Sequence, residues 1–212
     1  MPIMLSPLVP DLDRLREELL ATTPEDKAYY RGKSAAKQAI DILTRAGVLL
    51  PPIYGERGTD GVVEGLAAIA EQVGINPKVV YNPGSGLDVA IAEAFPDARA
   101  IFLDLQDEVA EDLSRVGLEA YSGNMETFLL PDGIKADLTL ILNAGSMTQV
   151  SLDKVVAPGG LVVVNEWHRA ATFMQNECPS YELLDISGLD LNVHGSALED
   201  GANTLFAFQR TT

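Results

Sequence analysis

Lys78-Val79-Val80-Tyr81-Asn82-Pro83-Gly84-Ser85-Gly86, continued by Leu87–Phe95 and then by Ala100-Ile101-Phe102-Leu103-Asp104, is the stretch whose reading decides the fold. A short apolar run leads into a glycine turn, an apolar helix follows, and a second apolar run ends on a carboxylate. That order describes a βαβ unit, two parallel strands with the glycine turn at the end of the first. Glycines at 84 and 86 have no Cβ, so a ligand can approach the backbone there. Asp104 stands 18 residues beyond Gly86, at the end of the neighbouring strand, where its carboxylate can accept both hydroxyls of a ribose. The unit reads as a nucleoside site; a glycine turn that merely packs is the competing explanation.

The pattern continues beyond Asp104. Asp107–Val116 places Val109, Leu113 and Val116 on one helical face and stops at Gly117, and Leu118–Ser122 follows as a third strand. Gly123-Asn124-Met125-Glu126 comes next, where a side-chain amide or acid can meet an adenine ring, although Gly-Asn is equally a plain turn. Met125–Leu130 is a short helix by composition. Ala136–Leu142 is a fourth strand, apolar enough to be covered on both faces, and it runs into Asn143-Ala144-Gly145-Ser146. A helix through Leu152, Val155 and Val156 precedes Ala157-Pro158-Gly159-Gly160; Leu161–Val164 is the fifth strand and leaves through Asn165-Glu166-Trp167-His168. Strands alternating with helices at this spacing predict a parallel sheet wound on both faces.

Residues 1–77 read as a helical extension packed on a core domain of residues 78–212. Leu12, Leu15 and Leu19 share one face of Asp11–Leu20, Thr23-Pro24 opens a second helix running towards Arg45, and Val62, Leu66, Ile69 and Val73 mark a third that closes at Gly74. The proline- and glycine-rich segment 49–58 between them cannot continue a helix. Tyr29, Tyr30, Arg31, Tyr54 and Arg57 can cover the substrate side of a cleft or simply pack.

Bulk properties narrow the function classes. The 212 residues, 47% of them apolar, make a globular chain, and no apolar run approaches a membrane span. The start Met1-Pro2-Ile3-Met4-Leu5-Ser6 lacks a signal-peptide pattern, so a cytoplasmic location is expected. Cys178 is the one cysteine and His168 and His194 the two histidines, which leaves no disulfide framework and no metal site. The net charge is −16, with 7 Lys+Arg against 20 Asp+Glu in residues 78–212. Such a field argues against nucleic acids and anionic membranes as partners.

Pro83-Gly84-Ser85-Gly86, the terminal Asp104, Ala136-Asp137-Leu138-Thr139-Leu140-Ile141-Leu142-Asn143 and above all Val156-Ala157-Pro158-Gly159-Gly160-Leu161-Val162-Val163-Val164 resemble the class I S-adenosylmethionine-dependent methyltransferases, over about residues 78–210. The resemblance implies a three-layer Rossmann-like sheet of seven strands, mostly parallel, with an antiparallel last strand. Tyr181–Ile186 or Leu189–Val193 would be the sixth and Asn203–Gln209 the seventh. It further implies S-adenosylmethionine as cofactor and a small-molecule substrate. Gly84 and Gly86 would pass along the methionine part of the cofactor, with Asn82 and Ser85 of the same turn also among the cofactor-binding residues; Asp104 would hold the ribose, Asn124 would stand near the adenine, and Asn143 would face the methyl group. Glu166 and His168, at the end of the fifth strand, are the candidates for a general base, with His168 favoured by its near-neutral pKa; a packing histidine beside Trp167 is the alternative.

The first motif departs from the family's usual acid and three alternating glycines. Aligned one way, Asn82 replaces a glycine and Val80 the acid; aligned the other, Asn82 replaces the acid and Asp88 the third glycine. Asn124 stands where the family commonly has an acid. A catalytically silent binding module on the same fold is therefore the second hypothesis. An NAD-linked oxidoreductase is disfavoured, since Val89 occupies the third glycine position of the dinucleotide fingerprint and Asp88 puts a carboxylate where a pyrophosphate would bind.

Overall fold

The structure, a computed structural model, describes residues 3–4, 61–115, 117–142, 144–165, 169–186 and 204–211. Its strands are β1 (Ile3–Met4), β2 (Val79–Pro83), β3 (Arg99–Asp104), β4 (Glu119–Ser122), β5 (Ala136–Ile141), β6 (Val156–Asn165), β7 (Tyr181–Leu183) and β8 (Leu205–Arg210). The α-helices among the described residues are α1 (Val62–Val73), α2 (Ala90–Ala94), α3 (Asp107–Arg115), α4 (Gln149–Val155) and α5 (Ala170–Glu177).

One sheet contains every strand, in the order β1-β4-β3-β2-β5-β6-β8-β7. The five strands β2 to β6 are mutually parallel, and β8 runs antiparallel to both β6 and β7. The expected seven strands and their antiparallel closing strand are thus present. Of the two segments weighed for the sixth, Tyr181–Leu183 forms the strand, and Leu189–Val193 lies outside the described residues. An eighth strand was not anticipated: Ile3–Met4 pairs antiparallel with β4, Ile3 opposite Ser122 and Met4 opposite Tyr121.

The strands read as near-continuous apolar runs because successive residues serve two different cores. Val80, Phe102, Ala120, Leu138, Leu140, Leu161 and Val163 face one way, into a cluster with Val62, Leu66 and Ile69 of α1, Ile91 of α2 and Leu113 of α3. Tyr81, Ile101, Leu103, Tyr121, Ile141, Val162 and Val164 face the other way, onto Leu152 and Val155 of α4 and Met174 of α5. Helix α1 therefore shares a core with the sheet. It closes at Gly74 (φ 73°), whose N–H returns to the carbonyls of Ala70 and Glu71.

The Ala157-Pro158-Gly159-Gly160 segment belongs to β6 itself, where the register against β5 shifts between Ala136 and Leu138. A Cβ on Gly160 would lie 2.9 Å from the Ala157 carbonyl oxygen and 3.0 Å from that of Ala136. Two backbones therefore meet where only glycine fits.

One helix expectation is overturned. Met125–Leu130 forms turns followed by extended chain, with Phe128 and Leu130 buried and Leu129 60% exposed between them. Asn124 folds the chain back locally, and Leu130, which precedes Pro131, is held extended (φ −60°, ψ 145°) as residues before proline are. The expected helices Asp11–Leu20 and Thr23–Arg45, and the tyrosines and arginines weighed for a substrate cover, lie outside the described residues.

Candidate functional site

In this strand order β2 pairs with β3 on one side and β5 on the other, so the chain direction across the sheet reverses between β2 and β5. Crevices at the carboxyl ends of open parallel sheets form at such a reversal. The glycine turn leaves β2 at that point. The N–H groups of Gly84 and Ser85 both return to the Leu103 carbonyl of β3, at 2.7 and 3.2 Å. Gly84 is left-handed (φ +67°), and a Cβ there would lie 2.8 Å from the Cβ of Ala144, in the loop after β5. Gly86 is also left-handed (φ +53°), yet among the described residues nothing lies within 4 Å of where its Cβ would be. One glycine is thus an interlock between two loops, and the other has no described residue over its Cβ position.

Asp104 is 8% exposed, and both of its oxygens are engaged: Oδ2 accepts the Gly86 N–H at 2.9 Å and Oδ1 the Gln106 N–H at 3.0 Å. Each oxygen keeps a further acceptor direction. The carboxylate thereby fixes the turn and remains able to receive hydroxyls. Its own carbonyl accepts the Gly123 N–H at 2.9 Å, which brings the end of β4 alongside. Leu105, not singled out from the sequence, is 74% exposed immediately beyond Asp104. The signal for it was only its position, an apolar residue one step past the strand's terminal acid.

Asn82 is buried and donates its Nδ2 to the Asp88 carbonyl at 3.3 Å, and the Asp88 Oδ1 accepts the Ala90 N–H at 2.8 Å in the first turn of α2. Ser85 is buried as well, its hydroxyl 3.1 Å from the Gly86 carbonyl. Asn124 is exposed, and its Oδ1 accepts the Glu126 N–H at 2.8 Å while its carbonyl takes the N–H groups of Thr127 and Phe128. It caps a turn beside the site. The structure brings Asn82, Gly84, Ser85, Gly86, Asp104 and Asn124 to adjacent strand ends; Asn143, Glu166 and His168 lie outside the described residues.

Glu126 is a further acid at these ends. Its Oε1 accepts the Thr148 N–H at 2.9 Å and its Oε2 the Thr148 hydroxyl at 2.7 Å, with the Ser151 hydroxyl 2.6 Å away. Burial by itself raises this carboxyl, but the hydrogen bonds from Ser151 and Thr148, with Lys154 nearby, outweigh it and hold the group below its ordinary range. Beneath the cleft, Tyr81 is fully buried against Phe128, and desolvation pushes its phenol far above the usual range. It stays neutral and supplies no base. Cys178 is likewise buried, its thiol pushed up to about 11 by desolvation. Among the described residues, no group of three or more His, Cys, Asp or Glu could hold a metal ion.

No protein-family model matches this sequence, and no curated protein matches it. Solved structures do match. The methyltransferase of Geobacter sulfurreducens is 14% identical, with a TM-score of 0.52 over 99% of this chain and 100% of that one. The cofactor-bound Rv0187 from MTB is 17% identical, with a TM-score of 0.52 over 98% of this chain and 99% of the other. The N-methyltransferase NodS of Bradyrhizobium japonicum WM9, in complex with S-adenosyl-L-homocysteine, is 12% identical, with a TM-score of 0.53 over 82% of this chain and 98% of its own. At such identities the shared property is architecture, and that architecture is the Rossmann-like fold of the class I S-adenosylmethionine-dependent methyltransferases.

Proposed function

We propose that this chain is an S-adenosylmethionine-dependent methyltransferase acting on a small molecule. One observation carries the proposal: the Asp104 carboxylate is pinned to the Gly86 N–H under a left-handed glycine whose Cβ position no described residue approaches within 4 Å. An acid that can receive ribose hydroxyls beside an unobstructed backbone suits a nucleoside and not a pyrophosphate. Gly84 and Gly86 would lie along the methionine portion, Asp104 would accept the ribose hydroxyls, and Asn124 and the exposed Leu105 would flank the base. When bound, the cofactor supplies a methyl group on a positively charged sulfur. The chain's own task is to align an acceptor in line with that bond and exclude water, which lowers a barrier by several kcal/mol without a dedicated motif. Asn143 follows directly on Leu142 beyond β5, and Glu166 to His168 follow directly on Asn165 of β6. They are proposed to face the methyl group and to take the acceptor's proton, with His168 the principal base.

Charge placement supports an acceptor class. Residues 78–212 contain 7 Lys+Arg. Lys78, Arg99 and Lys135 stand at strand starts, Arg115 and Lys154 at helix ends, and Arg210 at the end of antiparallel β8, all on the edge opposite the cleft. Among the described residues, Arg169 is the one Lys or Arg on the cleft side, where Asp88, Asp104, Asp107, Glu108 and Glu126 gather. Such a field favours a neutral or cationic acceptor, an amine before a phosphate ester.

A catalytically silent binding module is favoured by the internal use of Asn82 and Asp88, whose side chains serve the turn and α2. Calorimetric titration of the purified protein with S-adenosylmethionine, S-adenosylhomocysteine and NAD separates the readings. Micromolar binding of the first two, followed by labelled methyl transfer to an amine-containing metabolite pool, supports the enzyme; binding without transfer to any pool member supports the module; binding of neither sulfur compound refutes the cofactor assignment.

A further inference from the structure

We infer that Glu126 is a positioning residue that clamps the loop after β5 against the glycine turn, and so sets the methyl-donor end of the cleft relative to the adenosine end. The inference rests on the cofactor reading above. Thr148 precedes helix α4 as its N-cap residue, yet its own side chain makes no capping bond to the helix. The cap comes instead from the loop after β4: the Glu126 carboxylate takes both the N–H and the hydroxyl of Thr148, and Ser151 Oγ lies 2.6 Å from Oε2 and 2.7 Å from the Glu126 carbonyl oxygen. A cap supplied locally would stabilise the helix and nothing more. Supplied across 22 residues of sequence, it ties two strand-end loops together.

Both ends of that tie reach the site. On one side the Glu126 N–H is held by Asn124 Oδ1 at 2.8 Å, in the turn proposed to meet the base. On the other, the loop that ends at Thr148 places Ala144 so close to Gly84 that a Cβ there would be 2.8 Å away. Gly145 abuts the same turn, since a Cβ on it would lie 3.3 Å from Met125 Cε. The Glu126 carboxylate is engaged by Thr148 and Ser151, so its effect on the site runs through the loop that ends at Thr148. Loosening the tie leaves the Asp104 side intact and frees the loop that faces Gly84.

The test uses two ligands that divide the cleft. Adenosine occupies only the Asp104 end, whereas S-adenosylhomocysteine also lies along the glycine turn. In Glu126→Gln an amide replaces one carboxylate oxygen at the hydroxyls of Thr148 and Ser151, and calorimetry is expected to show S-adenosylhomocysteine about tenfold weaker, the scale of one charge-assisted hydrogen bond lost from the tie, with adenosine changed less than about twofold. Thr148→Val removes one of the hydroxyl donors and is expected to fall between wild type and Glu126→Gln; it also carries the measurement if Glu126→Gln fails to fold. Equal losses for both ligands together with a lower Tm would assign Glu126 to general stability and overturn the inference, as would unchanged affinity for both. A wild-type protein that binds neither ligand overturns the cofactor reading, and the inference with it.

Discussion

Gly84 and Gly86 share a left-handed backbone and differ in what surrounds them, so replacing each by alanine separates conformational strain from steric conflict. Both variants incur the left-handed penalty for a residue with a Cβ, about 1–2 kcal/mol. At Gly86 that is the whole expected loss, because among the described residues nothing lies within 4 Å of the new methyl. At Gly84 the methyl would sit 2.8 Å from the Ala144 Cβ, well inside contact distance, and overpacking adds about 1–3 kcal/mol. Urea denaturation should therefore show Gly84→Ala less stable than Gly86→Ala by that second amount, with m unchanged. In an Ala144→Gly background the conflicting methyl is gone, and the cost of Gly84→Ala should fall back to the strain alone, giving a coupling of about 1–3 kcal/mol in a double-mutant cycle. Ligand binding should follow the opposite order. Gly86→Ala should weaken S-adenosylhomocysteine beyond what its small stability loss explains, since its methyl fills the space left open for the ligand. Additive effects at Gly84 and Ala144, or wild-type affinity in Gly86→Ala, would refute the division into interlock and cradle.

Two further perturbations bear on the carboxylates. Asp104→Ala strips the acceptor from the N–H groups of Gly86 and Gln106, so it should destabilise the fold by about 1–3 kcal/mol and reduce affinity for adenosine and S-adenosylhomocysteine alike; calorimetry showing unchanged adenosine affinity would remove the ribose assignment. Glu119, through its hydrogen bond from Arg99, and Glu126, through Ser151 and Thr148 against the opposing effect of burial, are both held below their ordinary value of 4.5. Groups depressed in the folded state contribute stability that is present above the unfolded value and lost as pH falls through the folded one, so the unfolding midpoint should decline with acid below about pH 4.5. Glu126→Gln should flatten part of that decline, and an unaltered pH profile would contradict the assignment.

The parts of this fold that were legible in the sequence are those whose cause is local. Val79–Pro83 and Arg99–Asp104 are apolar enough to be covered on both faces, and Gly74 and Gly117 end helices where positive φ is required, so strand and helix order could be read without knowing any partner. Met125–Leu130 was misread because its residues favour a helix while two neighbours forbid one: Asn124 turns the chain, and Pro131 holds Leu130 extended. The strand at Ile3–Met4 has no periodicity to detect in two residues and exists through its pairing with β4. Glu126 was legible as an acid at a strand end; its partners stand 22 and 25 residues away, a relation that no local pattern encodes.

The first motif is where local and tertiary causes meet. Judged by residue type alone, Asn82 and Asp88 are defects in a glycine-rich turn. In the fold Asn82 is buried with its amide on the Asp88 carbonyl, and the Asp88 carboxylate satisfies an N–H at the start of α2, a short helix that a third glycine would have left without that acceptor. Meanwhile Gly84 and Gly86 keep the two left-handed positions, and no described residue fills the space over Gly86. The departures change how the turn is braced and leave its accessible backbone in place. Loss of cofactor binding would therefore have to arise elsewhere than from a blocked turn, which is why the titration and the Gly86 substitution together discriminate between an enzyme and a silent relative.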